Sequence, residues 1–179
     1  MIQLRDLLAE ITLGSIAPYA TQFVWSTYQV MGQTYYDSEF DADGRRIEMT
    51  MTPIDPQQEA AEYIFVFKTP DKWGTTSYSH SASSAVGQLD YLRLIRTVGE
   101  AILDFCTQYA PDSIDISGDD GDSAMRSKKT RIYAAFLQHN ASRLAQAGYT
   151  FLRRGNSLWI VRKQAYDATG IDTPDNPDM

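Results

Sequence analysis

An α/β sandwich, built from a mixed and largely antiparallel sheet with two long helices, is the fold class this sequence predicts, and three patterns predict it. Ile47, Met49 and Met51 alternate with Arg46, Glu48 and Thr50, the period of a half-buried antiparallel strand. Tyr91, Ile95, Val98, Ile102, Phe105 and Tyr109 recur at spacings of four and three, one stripe along a helix of about 20 residues. Strand-like and helix-like runs then alternate as far as Arg162, the pattern of strand-helix-strand units.

The elements follow in order. Ile2, Leu4, Leu7, Leu8 and Ile11 form the apolar side of a short amphipathic helix that Gly14 stops. Phe23–Val30 and Thr34–Phe40 are rich in β-branched and aromatic residues and predict two strands. Asp41-Ala42-Asp43-Gly44 predicts a tight turn into the strand Arg46–Thr52, and Pro53 and Pro56 break that strand's pattern. Tyr63–Phe67 is a continuous apolar run of central-strand length. A polar loop from Lys68 to Gly87 leads to the long helix, which Pro111 ends. Ser113–Ser117 is a short strand, and Gly118–Asp122 an acidic turn. A second long helix is expected from Ala124 to Ala147, capped by Asp122 or Ser123 and stopped by Gly148. Tyr149–Arg153, a turn at Arg154-Gly155-Asn156, and Ser157–Arg162 close the chain as a hairpin.

With 179 residues, 43% of them hydrophobic and 12% aromatic, the chain predicts one packed domain over residues 1–166. Residues 167–179, with Asp172, Pro174, Asp175, Pro177 and Asp178, read as an acidic tail. No run approaches the roughly 18 apolar residues of a membrane span, and no secretory leader is visible at Met1. A soluble protein, cytosolic where it is made, is the expectation. The single cysteine, Cys106, excludes an internal disulfide and lies on the apolar face of the long helix as a core thiol.

Charge is strongly polarised. Nine basic residues and no acidic one lie between Arg126 and Lys163, so the remaining 7 basic and 23 acidic residues leave −16 outside this block against +9 within it. The net charge of −7 argues against general affinity for nucleic acid. Arg126, Lys128, Lys129 and Arg131 stand at the start of a helix, where positive charge opposes the helix dipole. They are either neutralised by Asp115, Asp119, Asp120 and Asp122 or contact an anion or acidic partner. Arg153, Arg154, Arg162 and Lys163 flank the last hairpin with no acidic neighbour in sequence, and form the second candidate contact. Asp119-Asp120-Gly121-Asp122 lacks the later bidentate carboxylate of a calcium loop, and His80 and His139 stand alone, so no metal site is expected.

From Tyr63 through the long helix, the Ile114 strand, the second helix and the hairpin, the order β-α-β-α-β-β resembles the second half of the N-acetyltransferase superfamily, the GNAT fold. The stretch Asn140–Tyr149 is similar to that family's last helix, which starts near an Asn and ends in Gly-Phe or Gly-Tyr. The resemblance implies acetyl-CoA held at the amino end of the helix after the central strand, which here is Ser81–Gln88, with Ser83, Ser84, Val86 and Gly87 as cofactor contacts. The family's loop carries a Gln or Arg and two small residues in fixed spacing; this one has a single glycine and no basic residue. The family's general-acid tyrosine falls on Leu144, leaving Tyr133 as the tyrosine of that helix.

Arg96-Thr97-Val98, Ile114–Ser117, the basic helix start leading to Ile132-Tyr133, and the closing Gly148-Tyr149 are also similar to small bacteriophage-encoded proteins, with Lys128-Lys129 where those carry a Ser-Arg pair. The resulting expectation is a non-catalytic phage protein with a degenerate GNAT-like core, without a cofactor, acting on a protein partner in the virion or the host. The alternatives are an acyl-CoA-dependent N-acetyltransferase and an acidic mimic of nucleic acid.

Overall fold

The computed structural model describes residues 16–54, 62–68, 88–116, 133–154 and 157–164. The expected amino-terminal helix, the serine-rich loop, the acidic turn, the basic start of the second helix and the acidic tail lie outside the described residues. Within them run β1 (Ser26–Val30), β2 (Gln33–Asp41), β3 (Arg46–Pro53), β4 (Glu62–Lys68), α1 (Gln88–Tyr109), β5 (Ser113–Asp115), α2 (133–139), α3 (Ala141–Gln146), β6 (Tyr149–Arg154) and β7 (Ser157–Arg162). The α/β class is as expected.

The seven strands make one sheet in the order β1-β2-β3-β4-β5-β7-β6. All neighbours are antiparallel except β4 and β5, which α1 connects as a parallel crossover unit. Two tight turns join the first three strands. Asp43 and Gly44 have φ of 54° and 80°, and Ala42 and Arg45 exchange backbone hydrogen bonds of 2.7 and 3.2 Å across them. Met31 and Gly32, at 53° and 81°, make the same two-residue turn between β1 and β2, whose twist matches that of paired strands.

Alternation decides which face is covered. Ile47, Met49 and Met51 are 2% exposed or less, and they join Phe40, Ile114, Leu158 and Ile160 in one core cluster with the helices. The α1 stripe works as its spacing predicts: Ile95, Val98, Ile102 and Phe105 are all buried, and Cys106 with them. Phe105 is the hub, with the rings of Trp25, Tyr36, Tyr63 and Tyr109 centred 4.9–5.6 Å from its own. Before β1, Tyr19 straps the chain to this core. Its backbone N–H donates to Thr97 Oγ1 at 2.8 Å, its hydroxyl to Asp43, and the Arg93 guanidinium lies 3.9 Å over its ring.

Three expectations are corrected. The expected single helix to Ala147 is interrupted at Asn140, which departs from helical backbone angles at φ −100° and ψ 13° and splits α2 from α3, while its side-chain amide joins its backbone N–H on the Phe136 carbonyl at 2.9 Å. β3 runs one residue past the expected end at Thr52, to Pro53, which stays in register with Tyr63. The strand after α1 stops at Asp115 rather than Ser117.

Candidate functional site

The structure gives the basic residues separate roles. Arg143 forms a bidentate pair with Glu100 on α1, both contacts 2.8 Å, and Arg96 joins the same carboxylate at 3.4 Å. Arg162 lies 3.7 Å from Asp112 and donates to the Pro111 carbonyl, which also accepts from the buried Tyr149 hydroxyl at 2.7 Å. The hairpin cation expected to lack an acidic neighbour thus finds one that chain order conceals. Arg153 and Lys163 are exposed at the hairpin, while Arg126, Lys128, Lys129, Arg131 and the Arg154 side chain lie outside what is described. Tyr133 is 6% exposed and belongs to the core cluster. Ser83, Ser84, Val86 and Gly87 lie outside the described residues.

Glu100 is held below the ordinary carboxylate range, chiefly by the Arg143 hydrogen bonds and against the opposing effect of burial. A carboxylate with a depressed folded-state pKa stabilises the fold fully above its unfolded value, 4.5 for this group, and that contribution is lost as pH falls through the folded value. Glu100→Gln is therefore expected to flatten the loss of stability as pH falls below 4.5, as measured by urea midpoints. Burial pushes the Cys106 thiol up to about 12, so it stays protonated and inert in this core.

A different surface gathers exposed chemistry. β1 is the terminal strand of the described sheet, and all five of its residues are exposed. Around it Val24 is 84% exposed, Val30 45% and Met31 98%. The sheet face opposite the core forms a concavity of about 810 Å³ over β1, β2 and β3. Register builds it row by row. Ser26 lies beside Asp37 and Asp37 beside Thr50; Tyr28 lies beside Tyr35, and their rings stack at 5.2 Å and 14°. Glu39 and Glu48 face each other as like charges, and Arg46 ion-pairs with both. Asp37, Glu39 and Glu48 share this face with Arg46, which pairs with the two glutamates, and Lys68 of β4 stands in register with Glu48. Two atoms of the residues lining the concavity, Asp37 Oδ1 and Ser38 Oγ, are shielded from solvent yet have no hydrogen-bond partner among the described residues.

Sequence reasoning missed this site. The available signals were the Met31-Gly32 turn and a β1 segment, Ser-Thr-Tyr-Gln-Val, that carries neither charge nor proline. Its position at the sheet's end is not encoded locally. β4 and β5 pair only over Glu62–Ile64 and Ser113–Asp115, while β4 continues along β3 to Lys68. Beyond that point Ile116 bonds to Leu158 of β7.

Among the described residues no helix is long and apolar enough to cross a membrane, and no three His, Cys, Asp or Glu side chains gather as a metal site requires. No protein-family model, curated protein or solved structure matches the chain.

Proposed function

We propose that this chain is a non-catalytic, phage-encoded protein with a GNAT-like core, acting on a virion or host protein through the β1 edge and the sheet face beside it. The observation that carries the interface reading is β1 itself. Proteins blunt terminal strands with charge, proline, bulges or a covering element, because an open ladder of N–H and C=O groups recruits another strand. Ser26–Val30 has no charge and no proline, and its side chains are exposed. Such an edge takes an extended segment of a partner, with main-chain hydrogen bonds supplying affinity and alternate side chains supplying selectivity. The GNAT-like core is supported by the order β4-α1-β5-α2-α3-β6-β7, and the phage origin by the sequence resemblance alone.

The β1–β2 register supplies the test. Val30 and Gln33 flank a two-residue turn and form a hydrogen-bonded pair, so alternation turns the N–H groups of Tyr28 and Ser26 toward β2 and those of Gln29 and Thr27 outward. Gln29→Pro removes an outward donor without breaking the β1–β2 ladder. With both proteins as bait on lysate from the infected host, a partner is expected with the wild type and not with Gln29→Pro. A partner retained equally by both, or none with either, overturns the reading.

The parting of β4 from β5 favours a second reading, acyl transfer from acetyl-CoA bound beside β4. Under the non-catalytic reading, micromolar acetyl-CoA leaves the melting temperature unchanged, and a clear upward shift would replace that reading with the enzyme.

A further inference from the structure

We infer that the segment received by the β1 edge is basic, with lysine or arginine at alternate positions, one of them crossing Ser26 to Asp37. This rests on the interface reading above and adds the chemistry of the partner. A strand added to β1 lies two strand spacings, about 10 Å, from β2. An extended lysine or arginine spans roughly 6–7 Å, and an aspartate reaches back part of the remainder. The residue in register with Asp37 on β1 is the small Ser26, so no bulky β1 side chain occupies the row between the added strand and Asp37. At its end waits Asp37 Oδ1, a solvent-shielded carboxylate oxygen with no donor among the described residues. A buried acceptor without a partner is costly, and a cationic donor relieves that cost with a charge-assisted hydrogen bond.

The next position on the same face, two residues along the added strand, lies beside Tyr28 stacked on Tyr35. A second cation there sits over an aromatic face. Glu39 and Glu48, neutralised only in part by Arg46, extend the attraction across the concavity. Charge complementarity thus selects a cationic occupant, and period two follows from its being a strand. An acidic nucleic-acid mimic would also attract basic partners, but it would need no open edge.

The test uses two fluorescein-labelled nine-residue peptides, one alternating lysine with threonine and one alternating glutamate with threonine, read by fluorescence anisotropy. The lysine peptide is expected to bind and the glutamate peptide not; Asp37→Asn and Gln29→Pro should each weaken binding about tenfold or more. Failure of the lysine peptide, or equal binding to Asp37→Asn, overturns the proposal. If edge-dependent capture of a partner persists in that case, only the charge assignment fails and the interface reading stands. Binding lost in Asp37→Asn but untouched by Gln29→Pro overturns strand addition in favour of a diffuse electrostatic surface. A chain that sediments as a dimer, and that Gln29→Pro returns to monomer, gives the edge to a second copy and also overturns the proposal.

Discussion

Phe105→Ala is expected to lower stability by about 3–5 kcal/mol, the range for truncating a fully buried aromatic side chain. Phe105 has no exposed surface, and its ring touches four others from four parts of the chain: Trp25 before β1, Tyr36 on β2, Tyr63 on β4, and Tyr109 one turn along α1. Its removal loses the burial term and leaves a cavity that these rigid rings fill poorly. The same rings half-bury Tyr63 against the core, and burial first and the neighbouring Tyr36 second push its pKa up to about 12. With a typical domain stable by only about 5–15 kcal/mol, Phe105→Ala sits near the limit of folding. Phe105→Leu, which keeps much of the volume, should show a smaller loss in the same urea titration. A Phe105→Ala variant as stable as the wild type would mean that α1 does not dock on the sheet through this cluster.

Gly99→Ala is the second large effect, and its sign is diagnostic. In an exposed helix, replacing glycine by alanine stabilises by about 1 kcal/mol. Here a Cβ on Gly99 would come closer than 3.0 Å to three carbons of the Phe136 ring, which lies against the α1 backbone. Phe136 is 1% exposed and held within the cluster, so the ring has little room to withdraw. Overpacking of this kind costs about 1–3 kcal/mol, and with the bare backbone serving as the seat of a ring the upper part of that range should prevail. A net loss of about 2 kcal/mol is expected, which lowers the melting temperature by roughly 4–8 °C in a chain of this size. Combining Gly99→Ala with Phe136→Leu should cost less than the sum of the two singles, because the smaller side chain vacates the space that the new methyl needs. A stabilised Gly99→Ala would place α2 away from α1.

The parts of this fold legible in sequence are those written in local periods. The alternation through Ile47, Met49 and Met51 and the stripe through Ile95, Val98, Ile102 and Phe105 each identify a buried face without reference to any other element. The Asp43-Gly44 turn and the stop at Gly148, whose φ is 84°, are legible because they need backbone conformations few residues tolerate. Lateral arrangement is not written this way. Arg143 meets Glu100 across 43 residues, and nothing near Arg143 announces the pairing. The break at Asn140 lies in its backbone angles, φ −100° and ψ 13°, which composition leaves open.

The candidate site is hidden for the same reason. Ser26, Asp37 and Thr50 are ordinary residues of three separate strands until the register sets them in one row. The charge asymmetry drew attention to the basic block, yet two of its described members, Arg143 and Arg162, are engaged by the chain's own carboxylates. The opposite sign, gathered on the β1–β3 face as Asp37, Glu39 and Glu48, is the sharper feature.

If β1 is the surface that a partner covers, amide-resolved hydrogen–deuterium exchange of the free and partner-bound chain reads this directly. The Tyr28 and Val30 amides, bonded to β2, should be protected in both states, whereas those of Thr27 and Gln29 should exchange fast in the free chain and become protected on binding. Protection that appears instead around Arg153, Arg162 and Lys163, with Thr27 and Gln29 unchanged, would contradict the account and return the interface to the basic hairpin.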